Sequence, residues 1–452
     1  MTTATKEMPA VLSAGITEES VEALSAFCAD TAWMRERRMA AWERYQQIPM
    51  PSRRDERWRF TNLRGIDVAA VSTFTACSDV DAVQSRLQAT ASNEGLAGRL
   101  IHVNGTTVSE NVLEQLDLPA GAIFCSLDTA LRDHAELVQQ HFGSAVTASD
   151  SVDDKFVALQ EATFSNGVFF YVPRNTTVDM PVRCDIVHSE HGATINWRAL
   201  IVLEEGASAT LVEEYTSTSD DLTGFSNAVV ELVAGRGANL HYTTVQEYAL
   251  PVSHFATHRV LASQDSQVEW TAVGLGASRG KSRMEARLQG PGSSVRLNGA
   301  YFLDGKQELD YDTQQVHEAP NAFSDLAFKG VLADTAHSVW RGIIDVRPGA
   351  QGTDSYQENR NLLLNTGAHA DSIPGLQIEA NEVRCTHGAT ISKVDAEQLF
   401  YLQARGITRE EAVKTVVRGF FTPLLDRIHP EPVRDSIREA LWQRMDRHQL
   451  DS

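Results

Sequence analysis

From about Lys155 to Val394 the chain is a succession of short runs in which apolar and polar residues alternate, each closed by Gly, Asn, Asp or Pro. Alternation with period two turns one face of each run toward a core and the other away from it, which is the signature of a strand. Val168 to Val172, Ala199 to Leu203, Ala209 to Val212 and Val229 to Val233 are such runs. No long helical pattern separates them, which disfavours a doubly wound βαβ sheet. The runs also echo one another. Glu205-Gly206-Ala207-Ser208-Ala209-Thr210-Leu211 resembles Arg236-Gly237-Ala238-Asn239-Leu240-His241, and weaker copies begin at Asp265 and Gly292. The spacing of about 30 residues falls in the range of solenoid repeats. One coil of strands cannot bury its inner face alone, whereas stacked coils share a continuous core. The pattern therefore predicts a mainly β protein built on a right-handed parallel β-helix. A sandwich or jelly roll, which also has many short strands, is the alternative.

Both flanks are helical or mixed. We expect an N-terminal mixed helical domain over residues 1–150, the β-helix over 151–394 and a C-terminal helical domain over 395–452. Helical patterns start at Thr17 and Thr31, the second ending before Pro49-Met50-Pro51, and Ser126 to Phe142 reads as one helix. Leu100 to Val103 reads as a strand entering a turn at Asn104-Gly105. At the other end, Asp395-Ala396-Glu397-Gln398 and Thr408-Arg409-Glu410-Glu411 fit capping boxes. The second opens a helix with Val413, Val416, Val417, Phe420, Phe421 and Leu424 on one stripe, which must face a core or a partner. A last helix follows Pro430 and Pro432 and carries Val433, Ile437, Leu441 and Met445.

Charge and cysteine usage narrow the function. A formal net charge of −20 argues against a nucleic-acid partner. The basic cluster from Arg35 to Arg59 is interleaved with Glu36, Asp55 and Glu56 and reads as solvated surface. No apolar run approaches the length of a membrane span, and Met1 to Ala10 has no secretory apolar core. Cys28, Cys77, Cys125, Cys184 and Cys385 are odd in number and scattered, which suits a reducing, cytoplasmic setting.

Four motifs invite chemistry and three carry little. Gly280-Lys281-Ser282 lacks the upstream glycine of a phosphate loop, since position 275 is Leu, and reads as part of a turn between strands. His188-Ser189-Glu190-His191 offers two imidazoles and a carboxylate but no further ligand nearby, and is expected in a loop. Glu213-Glu214 and the pair Asp310 and Asp312 would suit glycoside cleavage only at a separation that sequence does not set. Cys385-Thr386-His387 is sharper. On a strand the thiol and imidazole share one face, and both groups suit iron, zinc and iron–sulfur species. Two ligands do not close a site, so others must come from elsewhere. On composition alone, a packed cysteine and a hydrogen-bonded histidine at a strand end is the stronger account.

The flanks reverse that balance. Leu376 to Thr390, followed by Asp395, Glu397 to Leu402 and Arg405-Gly406-Ile407, closely resembles the signature of the SufB/SufD family of iron–sulfur cluster assembly proteins. So do Gly342, Val346 to Gln351, Thr353, Gln357, Asn361 and Leu362 to Leu364, with Asp310, Thr313 and His317 upstream and Trp58 and Thr61 near the N-terminus. The Cys385-Thr386-His387-Gly388 form resembles SufD rather than SufB. The resemblance implies a β-helix flanked by helical domains, pairing with a SufB-like protein through the β-helices, and binding of a SufC-like ABC-type ATPase by the C-terminal helices. It implies that the chain alone binds no stable cofactor and catalyses nothing. A transient iron or iron–sulfur cluster would form at the SufB interface, with His387 and Cys385 as candidate ligands. Phe400, Val413, Val417, Phe420, Phe421 and Leu424 would meet the ATPase. A homodimer when alone, a SufB-type or purely architectural subunit, and a polysaccharide-active β-helix enzyme are the alternatives.

Overall fold

The computed structural model describes residues 8–13, 15–66, 68, 71–80, 83, 95–109 and 118–447. The repeated Glu205-Gly206 and Arg236-Gly237 pairs are corners. At each, one residue adopts a left-handed backbone: Asn175 (φ 54°), Gly206 (67°), Gly237 (63°), Asp265 (56°), Gly292 (73°), Asn321 (58°) and Gly352 (71°). Glycine, Asn and Asp tolerate that conformation, which explains their recurrence. Each of these residues donates its N–H to the carbonyl before the next corner. Gly206 reaches Arg236 at 2.8 Å, Gly237 reaches Gln264 at 2.8 Å and Asn321 reaches Gln351 at 2.8 Å. The corners thus form their own hydrogen-bonded column, and the chain turns at the same place in every coil.

Between the corners the strands stack in two sheets. One contains β1 (Gly98–Val103), β2 (Thr106–Ser109), β5 (Val182–His188), β7 (Ser208–Ser217), β9 (Asn239–Glu247), β11 (Gln267–Gly274), β13 (Ser294–Leu303), β15 (Phe323–Leu332), β17 (Asp354–Leu363) and β19 (Arg384–Lys393). The other contains β3 (Ile123–Ser126), β4 (Asn166–Val172), β6 (Ala193–Leu203), β8 (Gly224–Ala234), β10 (Val252–Ala262), β12 (Arg279–Leu288), β14 (Glu308–His317), β16 (His337–Val346) and β18 (His369–Ile378). Pairing is parallel from coil to coil, with antiparallel β1–β2 and β3–β4 at the first end. This is the parallel β-helix, and it excludes the sandwich. Its interior is one continuous core in which Trp197, Trp270 and Trp340 are fully buried.

Helical layers cover part of the outward face of each sheet. On the β4-to-β18 sheet lie α1 (Glu18–Phe27), α2 (Ala32–Gln47) and α5 (Lys155–Thr163), with α3 (Leu127–Asp133) and α4 (Ala135–His141) beside them. Trp58, Phe156, Phe225 and Phe255 form part of that contact, Phe156 stacking on Phe255 at 4.3 Å. Two details differ from the sequence reading. Ser126 to Phe142 is two helices, because His134 (φ −133°, ψ 35°) leaves the helical conformation. Lys155 to Thr163 is a helix rather than the start of the strands. Every residue in it is buried between the helical layer and the sheet, so it has no polar face to reveal it.

The β1-to-β19 sheet carries α6 (Ala396–Ala404), α7 (Arg409–Leu425) and α8 (Glu431–Arg447). Asp395 and Thr408 cap α6 and α7 by accepting from the N–H groups of Glu397 and Glu411. Val413, Val417, Phe421 and Leu424 pack with Val273, Phe302 and Val331 of the sheet. Polar contacts pin the layer at several points. Lys329 Nζ donates to the Phe420 carbonyl at 2.6 Å, Arg427 pairs with Asp325 at 2.8 Å, and the His429 N–H donates to Glu269 at 2.9 Å.

Candidate functional site at the open end of the solenoid

The two sheets end on β18 and β19, and among the described residues each of these strands has a neighbour on one side only. Inward positions of β17 are Ser355, Gln357, Asn359 and Asn361, all buried, while Tyr356 and Arg360 between them are exposed. In-register pairing sets Cys385 against Ser355 and His387 against Gln357. Cys385 and His387 therefore occupy inward positions of the last coil, yet His387 is exposed and Cys385 half-buried, because among the described residues no further coil covers them.

The columns that lead to these residues change character along the axis. One runs Leu211, Tyr242, Trp270, Leu297, Leu326, Gln357, His387. Its neighbour runs Leu240, Val268, Val295, Ser324, Ser355, Cys385. Both are apolar through the middle and polar in the last coils. Below Cys385, Ser324 Oγ and Ser355 Oγ lie 2.7 Å apart, His317 Nε2 is 2.8 Å from Ser324 Oγ, and Gln315 Nε2 donates to Ser324 at 2.7 Å. Burial holds the His317 imidazole down at about 4, so it is neutral at pH 7. Gln357 donates to the carbonyls of Gly342 and Gly375 at 3.2 and 3.1 Å. Gln357 and His317 were legible only as members of a resemblance. That they form the polar floor of the open end requires the register.

Burial, and then the negative charge of Asp354, push the Cys385 thiol up from its usual range. It is protonated at neutral pH and is not an activated nucleophile. Ligation to a metal would release its proton. Around the two residues, Leu376 (40% exposed), Ile378 (41%) and Ile391 (46%) also sit in the last coil with apolar surface uncovered. Phe400 (74%) and Tyr401 (56%) project from α6 nearby in sequence.

The residues expected at an ATPase contact divide. Phe400 is outside. Val413, Val417, Phe421 and Leu424 are buried in the chain's own core, and Phe420 packs partly against it, so of the core and the partner it is the core that the stripe faces. The remaining motifs take structural roles. Lys281 is paired with Asp310 at 2.7 Å and donates to the Arg57 carbonyl at 2.7 Å, on a strand and not in a phosphate loop. Thr61 also donates to Asp310, and Arg57 bonds to Asp312, so these acids fasten the N-terminal segment to the sheet. Glu213 lies inside the core, accepting from Trp197, Tyr215 and Tyr242 at 2.9, 3.0 and 2.6 Å. His188 ends β5 and lies against the Ala193 carbonyl, while Glu190 accepts from the Ser78 N–H, and the segment between them is a loop.

The fold defines the class: a parallel β-solenoid, here with a thiol and an imidazole on inward positions of its last strand. Comparison with known proteins then places it. Residues 186–420 match the family model of the SUF system FeS cluster assembly SufBD core domain, and residues 19–184 match that of the SufBD protein N-terminal region. Iron–sulfur cluster assembly SufBD family proteins of Staphylococcus saprophyticus and Staphylococcus epidermidis are 30% identical over 431 residues, covering 92% of this chain and 90% of the relative. That of Staphylococcus aureus is 30% identical over 426 residues. The chain belongs to the SufBD family of iron–sulfur cluster assembly proteins. No helix among the described residues is long and apolar enough to cross a membrane.

Proposed function

We propose that this chain is the SufD-type subunit of a cluster assembly scaffold, and that its open solenoid end docks on a SufB-type partner. The observation that carries the reading is the placement of Cys385 and His387 on inward positions of an uncovered last coil. A thiol and an imidazole are two ligands of a site that needs more, and a second solenoid set end to end would supply them. Among the described residues the outer edges of β18 and β19 have no strand neighbour, so their N–H and C=O groups are available to the strands of such a partner. Iron or a nascent cluster is cargo of the joint and not a resident group. Its arrival would deprotonate Cys385, and the neutral form of His387 would donate a ring nitrogen.

The chain performs no catalysis of its own in this reading. A SufC-type ATPase would bind the C-terminal helices, and Phe400 with Tyr401, the large apolar side chains exposed on α6, is the surface that suits it. Because α7 is bonded to the sheet through Lys329, a push on that layer would be passed to β15 and, through β17, to β19. The test is anaerobic cluster assembly by the full complex with His387→Ala. Loss of iron and sulfide with the complex intact is expected. A normal cluster yield would leave the chain a purely architectural subunit.

A further inference from the structure

A second group of metal-ligating side chains lies on the opposite, outward side of the β4-to-β18 sheet. His337 opens β16, and register pairing sets His369 of β18 directly against it, with Asp371 two residues on and facing the same way. One ligand atom from each of the three lies within 4.8 Å of the other two. Asp371 Oδ2 is 2.8 Å from His337 Nε2 and 3.5 Å from His369 Nε2, and the two imidazole rings are 5.1 Å apart. Ligands bonded to one metal at about 2.0–2.1 Å stand ~3–3.4 Å from one another, so these separations already approach a coordination edge.

From this geometry we infer that His337, His369 and Asp371 form a binding site for one first-row divalent transition ion such as zinc, cobalt or ferrous iron. Two imidazoles and one carboxylate are a donor set of borderline softness. They suit these ions and not calcium or magnesium, which take oxygen ligands. Three protein ligands leave coordination positions open. Exposure agrees with an open site: the side chains of His337 and Asp371 are 27% and 30% exposed and that of His369 67%. His337 has a further carboxylate beside it, since Glu308 of β14 is its register partner on the other side. A narrow cleft lined by Thr61, Asn62, Glu308 and His337 adjoins the cluster at His337.

The site is built by the repeat itself. Equivalent positions of successive coils stack, so histidines remote in sequence become neighbours when both start a strand of the same sheet. It is distinct from Cys385 and His387, which lie on inward positions of the other sheet, and it does not depend on the role proposed for them.

The experiment uses the full-length chain, stripped with chelator, with zinc binding measured by equilibrium dialysis and cobalt binding by its visible spectrum. The expected result is one ion per chain with a spectrum free of thiolate-to-cobalt charge transfer, retained in the Cys385→Ser/His387→Ala double variant. His369→Ala should weaken zinc by at least about tenfold, given that outer-shell substitutions alone cost metal sites ~10–100-fold. Since His369 is largely solvent-exposed, that variant folds. Asp371→Asn, which keeps shape and removes charge, should weaken it in the same direction. Absence of binding by the wild-type chain, undiminished binding by His369→Ala, or loss of the ion in the double variant would each overturn the assignment.

Discussion

Placing charge at the open end should break the partnership and spare the fold. Fully burying a large aliphatic side chain is worth about 1.5–3 kcal/mol. Leu376, Ile378 and Ile391 retain 40%, 41% and 46% of their surface, so covering what remains is worth ~1 kcal/mol each and ~3 kcal/mol together. That corresponds to about 100-fold in dissociation constant. Leu376→Lys combined with Ile391→Lys forfeits about two-thirds of this gain and also confines two ammonium groups in a joint that excludes water, at a further cost of several kcal/mol. In the free chain, lysine stems can lie along the same surface with the charge in solvent, so the urea midpoint should move little. Titration of the full-length double variant against the proposed SufB-type partner should show affinity at least about 100-fold weaker than wild type. A variant that folds and binds within about threefold of wild type would refute the reasoning, because the uncovered surface would then contribute nothing.

Three further outcomes concern the fold that carries the site. Glu231 is fully buried, pairs with Arg198 and accepts from the N–H groups of Gly143, Ala145 and Val146 at 2.9, 2.9 and 3.0 Å, so Glu231→Gln should cost about 3–5 kcal/mol in urea unfolding. Phe421→Ala should cost about 3–5 kcal/mol and make residues 395–447 more susceptible to protease than the solenoid, because Phe421 fixes α7 on the sheet. Acid should destabilise the chain before its surface carboxylates titrate. Burial lowers His102 to about 4, His254 to about 3, His258 to about 3 and His317 to about 4. An unfolded histidine binds its proton near 6.5, so between 6.5 and these values the unfolded chain holds more protons and stability falls as pH falls. The loss at pH 5 is about 2 kcal/mol per histidine, opposed in part by Glu213 and Glu214, whose carboxyls burial raises. A urea midpoint unchanged from pH 7 to pH 5 would contradict it.

The solenoid was legible because its corners require left-handed residues at a fixed interval, and Gly206, Gly237, Asp265 and Gly292 carry that requirement in the sequence. Cys385 and His387 were legible as a thiol and imidazole on one strand face, but not as the ends of interior columns, because that depends on which strand pairs with β19. The stripe on α7 was equally visible, yet whether it met a core or a partner depended on the opposing surface. Phe302 and Val331 supply that surface from strands buried on both sides, where alternation no longer marks a face. Strand β1 pairs with β5 across a long intervening segment, and nothing local announces the pairing. His337, His369 and Asp371 are not legible as a cluster in the sequence for a related reason. Their proximity comes from coil-to-coil register, so a scan for closely spaced ligands passes over them.

Hydrogen exchange of the free chain and of its complex with a SufB-type partner tests the central claim most directly. The account predicts that backbone amides of β18 and β19, each paired on one side only among the described residues, become protected on complex formation. Peptides containing Cys385 and His387 should be among the most strongly affected. Protection confined to α6–α8 or to the N-terminal layer, with β18 and β19 unchanged, would contradict it and place the partner elsewhere.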